Sequence, residues 1–251
     1  MFAMMGFTLF TSQYLQLVKG MSPLAAALWA LLPSAGVGAA VGLSGVLAGR
    51  VRPARLMAGG FLTGAAGFAL MTLVAPGSPL ALVLVAAGIL AAGTVGTMML
   101  TADLVVSAAP PERAGAAAAT SETATELGSS LGIAVLGAAG AAVYRTRLDG
   151  SLPAGLPDGT ARTAHDTLGG AVTVAAQLPA RAGGELLAVT RVAFTDGMHV
   201  AAVVGVLFMV GAAFAANRLM GHLPTTARTP DAGPAANPAA PPAEARSSAE
   251  V

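Results

Sequence analysis

Cysteine is absent from this chain of 251 residues, so it has no disulfide, thiolate nucleophile or cysteine-based metal site. Charged residues are also scarce: they make up 10% of the chain, whereas soluble domains carry about 25%. A soluble chain of this size has to cover its surface with polar groups. Because hydrophobic residues make up 55% and the mean hydropathy is +0.73, we predict that the lipid bilayer surrounds most of it.

The few charges and histidines that are present exclude several classes of function. The net charge is +1, which gives no indication of a nucleic-acid partner. The three histidines are scattered without metal-ligand spacing, and the sequence shows no nucleophile beside a base and no phosphate-binding glycine loop. We therefore predict a protein that is not an enzyme and that holds no cofactor and no metal.

Apolar runs, separated by clusters of proline, glycine and arginine, divide the sequence into six segments. Each run is too long for a strand, and backbone polar groups in lipid must be paired within their own segment. We therefore predict an all-α membrane protein with six transmembrane helices in one bundle, 1–222. The predicted spans are about 1–17, 24–48, 56–74, 80–106, 116–143 and 192–216.

Two stretches fall outside these spans. Residues of about 145–191 are polar and are predicted to be a mobile outer loop. Residues 223–251 are rich in alanine and proline, a composition that predicts a disordered tail.

Arginines near the span ends indicate the orientation, because cytoplasmic loops are enriched in Lys and Arg. Arginines in three places fall on one side of a six-span topology: Arg50, Arg52 and Arg55, then Arg113, then Arg218. This predicts that both termini are cytoplasmic. Lys19, Arg145 and Arg147 indicate the opposite orientation. The arginine cluster anchors the orientation, and gate-closing salt bridges are a second interpretation.

Residues 121–137 read SETATELGSSLGIAVLG, a stretch of membrane-helix composition that carries two carboxylates. Glu122 and Glu126 lie one helical turn apart and share one helix face, with Ser129 near it. Membrane helices turn such a polar stripe toward the bundle interior or a water-filled cavity. Since burial and mutual repulsion favour the neutral acid, the pair is a candidate for proton coupling or substrate binding.

Whether the two glutamates can serve in proton coupling or substrate binding depends on how deep they lie in the membrane. If their helix enters the membrane near Pro111, Glu122 lies about 16 Å along it, roughly half the hydrocarbon thickness, and Glu126 is deeper. If the alanines of AGAAAAT lie outside the membrane, both carboxylates are interfacial and need no special role.

Three further polar residues are candidates for the same site. Asp103, near the cytoplasmic end of the fourth span, fits either a solvated helix end or a coupling role. Gln13 and Gln16 either line a pathway or mark the outer end of the first span.

Glycines four residues apart recur in the predicted spans. The pairs are Gly38 and Gly42, Gly45 and Gly49, Gly60 and Gly64, and Gly128 and Gly132. This spacing lets helix backbones approach closely in lipid, which predicts packing contacts. Sliding of these faces during a conformational cycle is the alternative.

Several segments together carry a resemblance to a known family. In order, they are SQYLQLVKGMSPLAAALWALLP, LAGRVRPARLMAGG, SAAPPERAGAAAATSETATELGSSLGIAVLG and FTDGMHVAA. They resemble the C-terminal portion of the fourteen-span drug:proton antiporters of the major facilitator superfamily, over nearly all of residues 5–216. In some relatives the SPLAAAL helix carries an acidic residue. Residues 24–48 here contain none, which weakens a role in divalent-cation recognition.

The resemblance implies a multi-pass plasma-membrane transporter. It implies multidrug efflux: export of hydrophobic, often cationic, small molecules in exchange for protons, by alternating access. Glu122 and Glu126 match a helix in which such transporters carry acidic residues. Because the family has about fourteen spans, the resemblance also implies a C-terminal half from a truncated chain, which needs its missing N-terminal half or another membrane chain. The alternative is a non-transporting six-span membrane protein, either an assembly partner or a remnant.

Overall fold

The computed structural model describes residues 1–48 and 50–220, which form helices without a β-strand. The predicted tail, 223–251, and Gly49 lie outside the described residues. The α-helices within them are α1 Phe2–Gln13, α2 Pro23–Ala48, α3 Pro53–Met71, α4 Leu80–Ala108, α5 Ala114–Leu148, α6 Asp158–Asp166, α7 Leu168–Ala175 and α8 Ala180–Met220. A π-helical turn, Tyr14–Val18, continues α1, and a 3-10 turn, Pro111–Arg113, precedes α5.

Proline and glycine explain where several helices begin. Pro23 and Pro53 are the first residues of α2 and α3, and Pro111 begins the 3-10 turn. Proline lacks the N–H that would be unpaired in a first helical turn, and its fixed φ fits a helix. Gly20, with φ of +70°, lies in the left-handed region that favours glycine. It reverses the chain between the π-helical turn and α2.

The long helices pack side by side, with α3 between α4 and α8. On the outer sides, α2 packs on α4 and α5 packs on α8. Four contacts give the register of α3: Gly60 with Thr97, Gly67 with Leu90, Gly64 with Met209, and Phe68 with Gly205. Both neighbours of α3 therefore run antiparallel to it.

The short first helix packs into the same core. It runs parallel to α5, with Phe2 beside Gly132 and Phe10 beside Gly140. Phe7 packs edge-on against an aromatic ring of α3, with ring centroids 5.4 Å apart. One face of α1 is thus buried by aromatic packing, which leaves its opposite face free to line a cavity.

The two ends of the bundle differ in character. At one end, which we call the turn end, residues 72–79 connect α3 to α4. The Tyr14 hydroxyl donates to the Ala75 carbonyl oxygen at 2.7 Å, and His199 Nε2 lies 2.7 Å from the Val74 carbonyl oxygen. The other end, which we call the arginine end, contains Arg50, Arg52, Arg55, Arg113 and Arg218.

The segment predicted as an outer loop, about 145–191, is helical over most of its length. It contains the last residues of α5, the whole of α6 and α7, and the first turns of α8. The Tyr144 hydroxyl donates to the Ala164 carbonyl oxygen at 2.7 Å. Ala164, Leu168 and Leu186 are buried, because α6 and α7 pack on each other, α7 packs on α8, and α6 contacts the end of α5. The polar composition that suggested a loop belongs to their exposed faces.

Among the residues that the structure describes, four helical stretches are long and apolar enough to cross a membrane: Pro53–Met71, Leu80–Val105, Pro111–Leu148 and Ala180–Met220. They correspond to four of the six predicted spans. In α2, Pro23–Ser34 is a shorter apolar helix by the same measure. The all-helical membrane class is confirmed, and the count of six spans stays a prediction.

The glycine pairs differ in their surroundings. A Cβ at Gly60 or Gly132 would overlap a neighbouring helix, and one at Gly64 would be in van der Waals contact. At Gly38, Gly42 and Gly45 of α2, no described atom lies within 4 Å of an added Cβ. Close packing thus explains the glycines of α3 and α5 and not those three glycines of α2, a distinction that spacing alone does not make.

Candidate functional site

The third helix gives a depth scale for the bundle. Its 19 residues rise about 28 Å, which matches a hydrocarbon thickness of about 30 Å. At the turn end, His199 contacts Val74, which lies just past α3, and Gly197 lies against Gly140 of α5. Gly140 of α5 therefore lies level with the turn end of α3.

Measured from Gly140, the two glutamates lie near the arginine end. Glu122 is about 27 Å and Glu126 about 21 Å along α5 from it, at 1.5 Å per residue. Glu122 is thus level with the arginine end of α3, and Glu126 is one turn closer to the middle of the bundle. This is shallower than the count from Pro111 predicts, because α5 has 35 residues and extends beyond α3 at both ends.

Both glutamates are exposed in the described chain, and neither lines the cavities described below. Phe2 of α1 lies beside Gly128 and Gly132, which are further along α5 than both glutamates. Their roles in proton coupling or substrate binding stay predictions.

A cavity of about 510 Å³ lies between α1, α2 and α4. Ala27, Ala30 and Pro33 line it from α2, and Ala87 and Ala91 line it from α4. Small side chains on these two walls leave space that larger ones would fill. The volume falls within the range of about 300–1,000 Å³ that is typical of small-molecule sites.

The wall that α1 and the π-helical turn contribute is polar. Thr8, Thr11, Ser12 and Gln16 line the cavity from one helix face. Gln16 Nε2 donates to Ser12 Oγ at 2.9 Å, and the Thr8 hydroxyl donates within its own helix at 2.8 Å. Thr11 Oγ1 is buried and has no hydrogen-bond partner among the described residues. An unpaired buried hydroxyl costs about 1–3 kcal/mol, so a polar group of a ligand is favoured at this point.

The other predicted polar residues divide between this cavity and the surface. Gln16 lines the cavity, whereas Gln13 is half-buried outside it. Asp103 is exposed near the arginine end of α4 and lines none of the described cavities. The sequence prediction missed Thr8 and Thr11. Their spacing from Gln16, in steps of three to five residues within an apolar helix, was the signal that could have found them.

The predicted gate arginines are all exposed. Arg50, Arg52, Arg55 and Arg113 make no salt bridge with any residue that the structure describes. Arg113 lines a second cavity, of about 620 Å³, between the arginine ends of α4 and α5. The gating role of these arginines stays a prediction.

Polar contacts that the sequence did not predict hold the turn end together. Lys19 Nζ donates to the carbonyl oxygens of Pro76 at 3.1 Å and Ser78 at 2.5 Å. Arg147 on α5 pairs with Asp196 on α8, with Nε and Oδ2 3.0 Å apart. Lys19 thus ties the end of the π-helical turn to the α3–α4 turn, and Arg147 ties α5 to α8.

The chain is similar to known membrane proteins. The family model described as the Major Facilitator Superfamily matches residues 1–133. The chain is 38% identical over 211 residues to the multidrug efflux pump LfrA of Mycolicibacterium smegmatis, covering 84% of this chain and 41% of that protein. It is 36% identical over 224 residues to the tetracenomycin C resistance and export protein of Streptomyces glaucescens, covering 85% and 41%. The puromycin resistance protein pur8 of Streptomyces alboniger is 38% identical over 163 residues, 62% of this chain and 32% of that protein.

Proposed function

The chain belongs to the major facilitator superfamily, and from this premise we propose that it forms one helix bundle of a proton-coupled exporter of small apolar compounds. It is a multi-pass membrane protein of a transporter family, and the curated relatives that it matches are named for drug efflux, export or resistance. The observation that carries the proposal is the cavity between α1, α2 and α4, which has the size of a drug-like molecule and mostly apolar walls.

The chain spans about two fifths of the length of the first two of these relatives, 41% in each case. Transport sites in such folds form at the interface between two repeats, near the middle of the membrane. We therefore propose that a second bundle, from a longer chain or from another chain, completes the site. Alternating access then consists of one bundle moving against the other.

Proton coupling is assigned to the carboxylates of α5. Glu122 and Glu126 share one helix face, and the depth scale puts Glu126 one turn closer to the middle of the bundle. A second bundle that covers this face would remove water from the carboxylates, and burial favours their neutral form, so a change in water access during transport would change their protonation. Exposure of both side chains in this chain is compatible with a face that the second bundle covers.

The arginine end is proposed to be cytoplasmic, in line with the enrichment of arginine in cytoplasmic loops. Both Arg52, at the start of α3, and Arg218, in the last turn of α8, lie at this end. Lys19 and Arg147 at the turn end weigh less, because both are engaged in specific contacts there. Their presence has a structural reason that is independent of orientation.

Dye efflux from vesicles tests this function, with the bundle assembled together with its second half. Glu126→Gln keeps the size of the side chain and removes its titration, and we expect it to abolish efflux driven by a pH gradient while leaving expression intact. Glu112→Gln, on the exposed 3-10 turn, is the matched control and should retain efflux. Undiminished efflux by Glu126→Gln would show that this carboxylate does not couple transport to protons.

A further inference from the structure

An apolar groove of about 650 Å³ lies between α2, α3 and α4, and we call it the outer groove. Pro33 and Leu84 line both this groove and the cavity between α1, α2 and α4. On α2, Ala30 faces the cavity, whereas Trp29 and Leu32 face the outer groove. A second bundle that completes the cavity therefore approaches α2 from the side opposite to the groove.

The outer groove suits hydrocarbon and not a charged ligand. None of the described residues that line it is charged, and the Thr63 hydroxyl donates to the Gly59 carbonyl oxygen at 2.9 Å. A polar group loses its hydration in such a place without gaining a partner. The neighbouring leucines of α2 are exposed on the outside of the bundle, among them Leu28 and Leu31. The medium that reaches the groove is therefore the lipid bilayer.

The length of the groove matches one leaflet of that bilayer. It extends along α4 from Leu80 at the turn end to Ala92, about 18 Å at 1.5 Å per residue. Its deep end is level with Thr63, near the middle of α3, since Thr63 packs on Gly93. One leaflet of hydrocarbon is about 15 Å thick, half of the bilayer core. The groove is thus long enough for an acyl chain and too short for a transmembrane helix.

The helix α2 is weakest where it borders the groove. Pro33 lies within α2 and has no N–H to donate to the Trp29 carbonyl oxygen, four residues earlier. The helix rests here on α4, where a Cβ added at Gly88 would lie 3.7 Å from Pro33 Cα. Because Pro33 lines both spaces, bending of α2 at this point changes the shape of the groove and of the cavity together.

From these observations we propose that the outer groove binds one acyl chain of a phospholipid from the leaflet at the turn end, and that this chain braces α2 at Pro33. The acyl chain packs on Trp29 and Leu32 of α2 and on Val85 and Ile89 of α4, which line the groove. Bound lipid thereby holds the shape of the cavity on the other side of α2. The inference goes beyond the proposed export function and does not depend on it.

Trp29 is the single tryptophan of the chain and reports on the groove without a label. The 251-residue chain, freed of lipid in detergent micelles, is titrated with phosphatidylcholine that is brominated along its acyl chains and quenches tryptophan on contact. We expect quenching to saturate at one lipid per chain. Quenching that rises without saturation would show unspecific contact and overturn the proposal. Dimeric chains with Trp29 shielded from lipid would assign the groove to a second copy and overturn it as well.

Filling the groove tests the location of the lipid. Ala92→Phe obstructs its deep end and Ala81→Phe its exposed end, and either should raise the lipid concentration for half-maximal quenching about ten-fold or more. Ala69→Phe is the matched control, because Ala69 is exposed on α3 and does not line the groove. Circular dichroism establishes that each variant is folded. Folded groove variants that bind lipid as the control does would place the lipid elsewhere and contradict the proposal.

A thiol in the cavity tests the bracing of α2. Ala30→Cys supplies the chain's single cysteine on the cavity side of α2. Removal of lipid should free α2 to bend and make the reaction of this thiol with N-ethylmaleimide about three-fold faster or more. Gly77→Cys, in the exposed α3–α4 turn, is the control and should react at the same rate with and without lipid. Equal rates at Ala30→Cys would reject the bracing.

Pro33→Ala tests whether the brace acts through the kink. Alanine restores the N–H that proline lacks, so α2 should no longer bend when lipid is removed. In the Ala30→Cys background, we expect this substitution to abolish the effect of lipid on the reaction rate while Trp29 is still quenched by one bound lipid. A reaction rate that still depends on lipid would show that bracing does not act at Pro33.

Discussion

Lys19 lies at the end of the bundle where the orientation rule predicts few cations. The structure gives the reason for its presence, because Nζ donates to two carbonyl oxygens of the α3–α4 turn and lies 5.8 Å from the centre of the Tyr14 ring. Those carbonyls have no helical partners, and a flexible ammonium with three donors satisfies them. A single cation here acts as a cross-link between α1 and the turn.

We expect Lys19→Met to destabilise the bundle by about 1.5–3 kcal/mol, the range for hydrogen bonds to charged groups. Chemical denaturation in detergent micelles measures the loss. Arg181→Met is the comparison, because Arg181 is 93% exposed in its pair with Glu185, and surface ion pairs contribute little. A Lys19 variant as stable as the Arg181 variant would contradict the cross-linking role.

Glycines of similar spacing have different surroundings in this bundle. A Cβ on Gly93 of α4 would overlap the backbone of α3 at Gly60 and Gly64, whereas one on Gly42 of α2 would meet no described atom within 4 Å. Replacing each of these two glycines with alanine therefore distinguishes the effect of helix packing on stability from the effect of intrinsic helix propensity.

Gly93→Ala should destabilise the chain by about 1–3 kcal/mol, because the helices must move apart. Gly42→Ala should instead stabilise it by about 0.4–1 kcal/mol by restricting the unfolded chain. Thermal unfolding of both variants in the same detergent gives the sign directly. Equal shifts at the two positions would mean that the α3–α4 contact tolerates an extra methyl group.

At the scale of elements, the length of a helix determines where its residues lie. The sequence located α5 and its glutamates, and the shared face of Glu122 and Glu126 follows from the helical period. The level of the glutamates within the bundle cannot be derived from the helical period, since it depends on where α5 meets α8, at Gly140 and Gly197. That contact joins residues 57 positions apart in the chain, so local sequence does not reveal it.

One buried hydrogen bond joins α6 to the end of α5. Tyr144→Phe removes the donor to the Ala164 carbonyl oxygen and leaves that acceptor unpaired. We expect amide exchange in α6 to become roughly five-fold faster or more, corresponding to about 1 kcal/mol. Thr173→Val on α7 is the control, because Thr173 is exposed and its hydroxyl bonds within its own helix. Unchanged exchange in the Tyr144 variant would show that apolar packing alone holds α6.

For the whole molecule, the absence of cysteine makes the proposed orientation directly measurable. Gly77→Cys, in the exposed α3–α4 turn, should react with a membrane-impermeant maleimide added to intact cells. Glu112→Cys, at the arginine end, should react only after permeabilisation. Both positions are exposed, so access to the reagent depends on the side of the membrane. The reverse labelling pattern would invert the proposed topology.

The sequence by itself determined that this is a membrane protein, that it is helical and where helices α2 and α3 begin. These follow from composition, from the rule that backbone groups in lipid pair within their own segment, and from proline and glycine at the helix ends. Its resemblance to the transporter family was likewise carried by short motifs and is confirmed.

Only the tertiary structure decided which polar residues share a cavity. Thr11 and Ala91 are 80 positions apart in the chain and line one space because α1, α2 and α4 pack around it. It also decided that the predicted outer loop contains helices. Burial, cavity shape and depth depend on contacts between distant segments. Hydropathy and helical period describe each segment alone and do not contain this information.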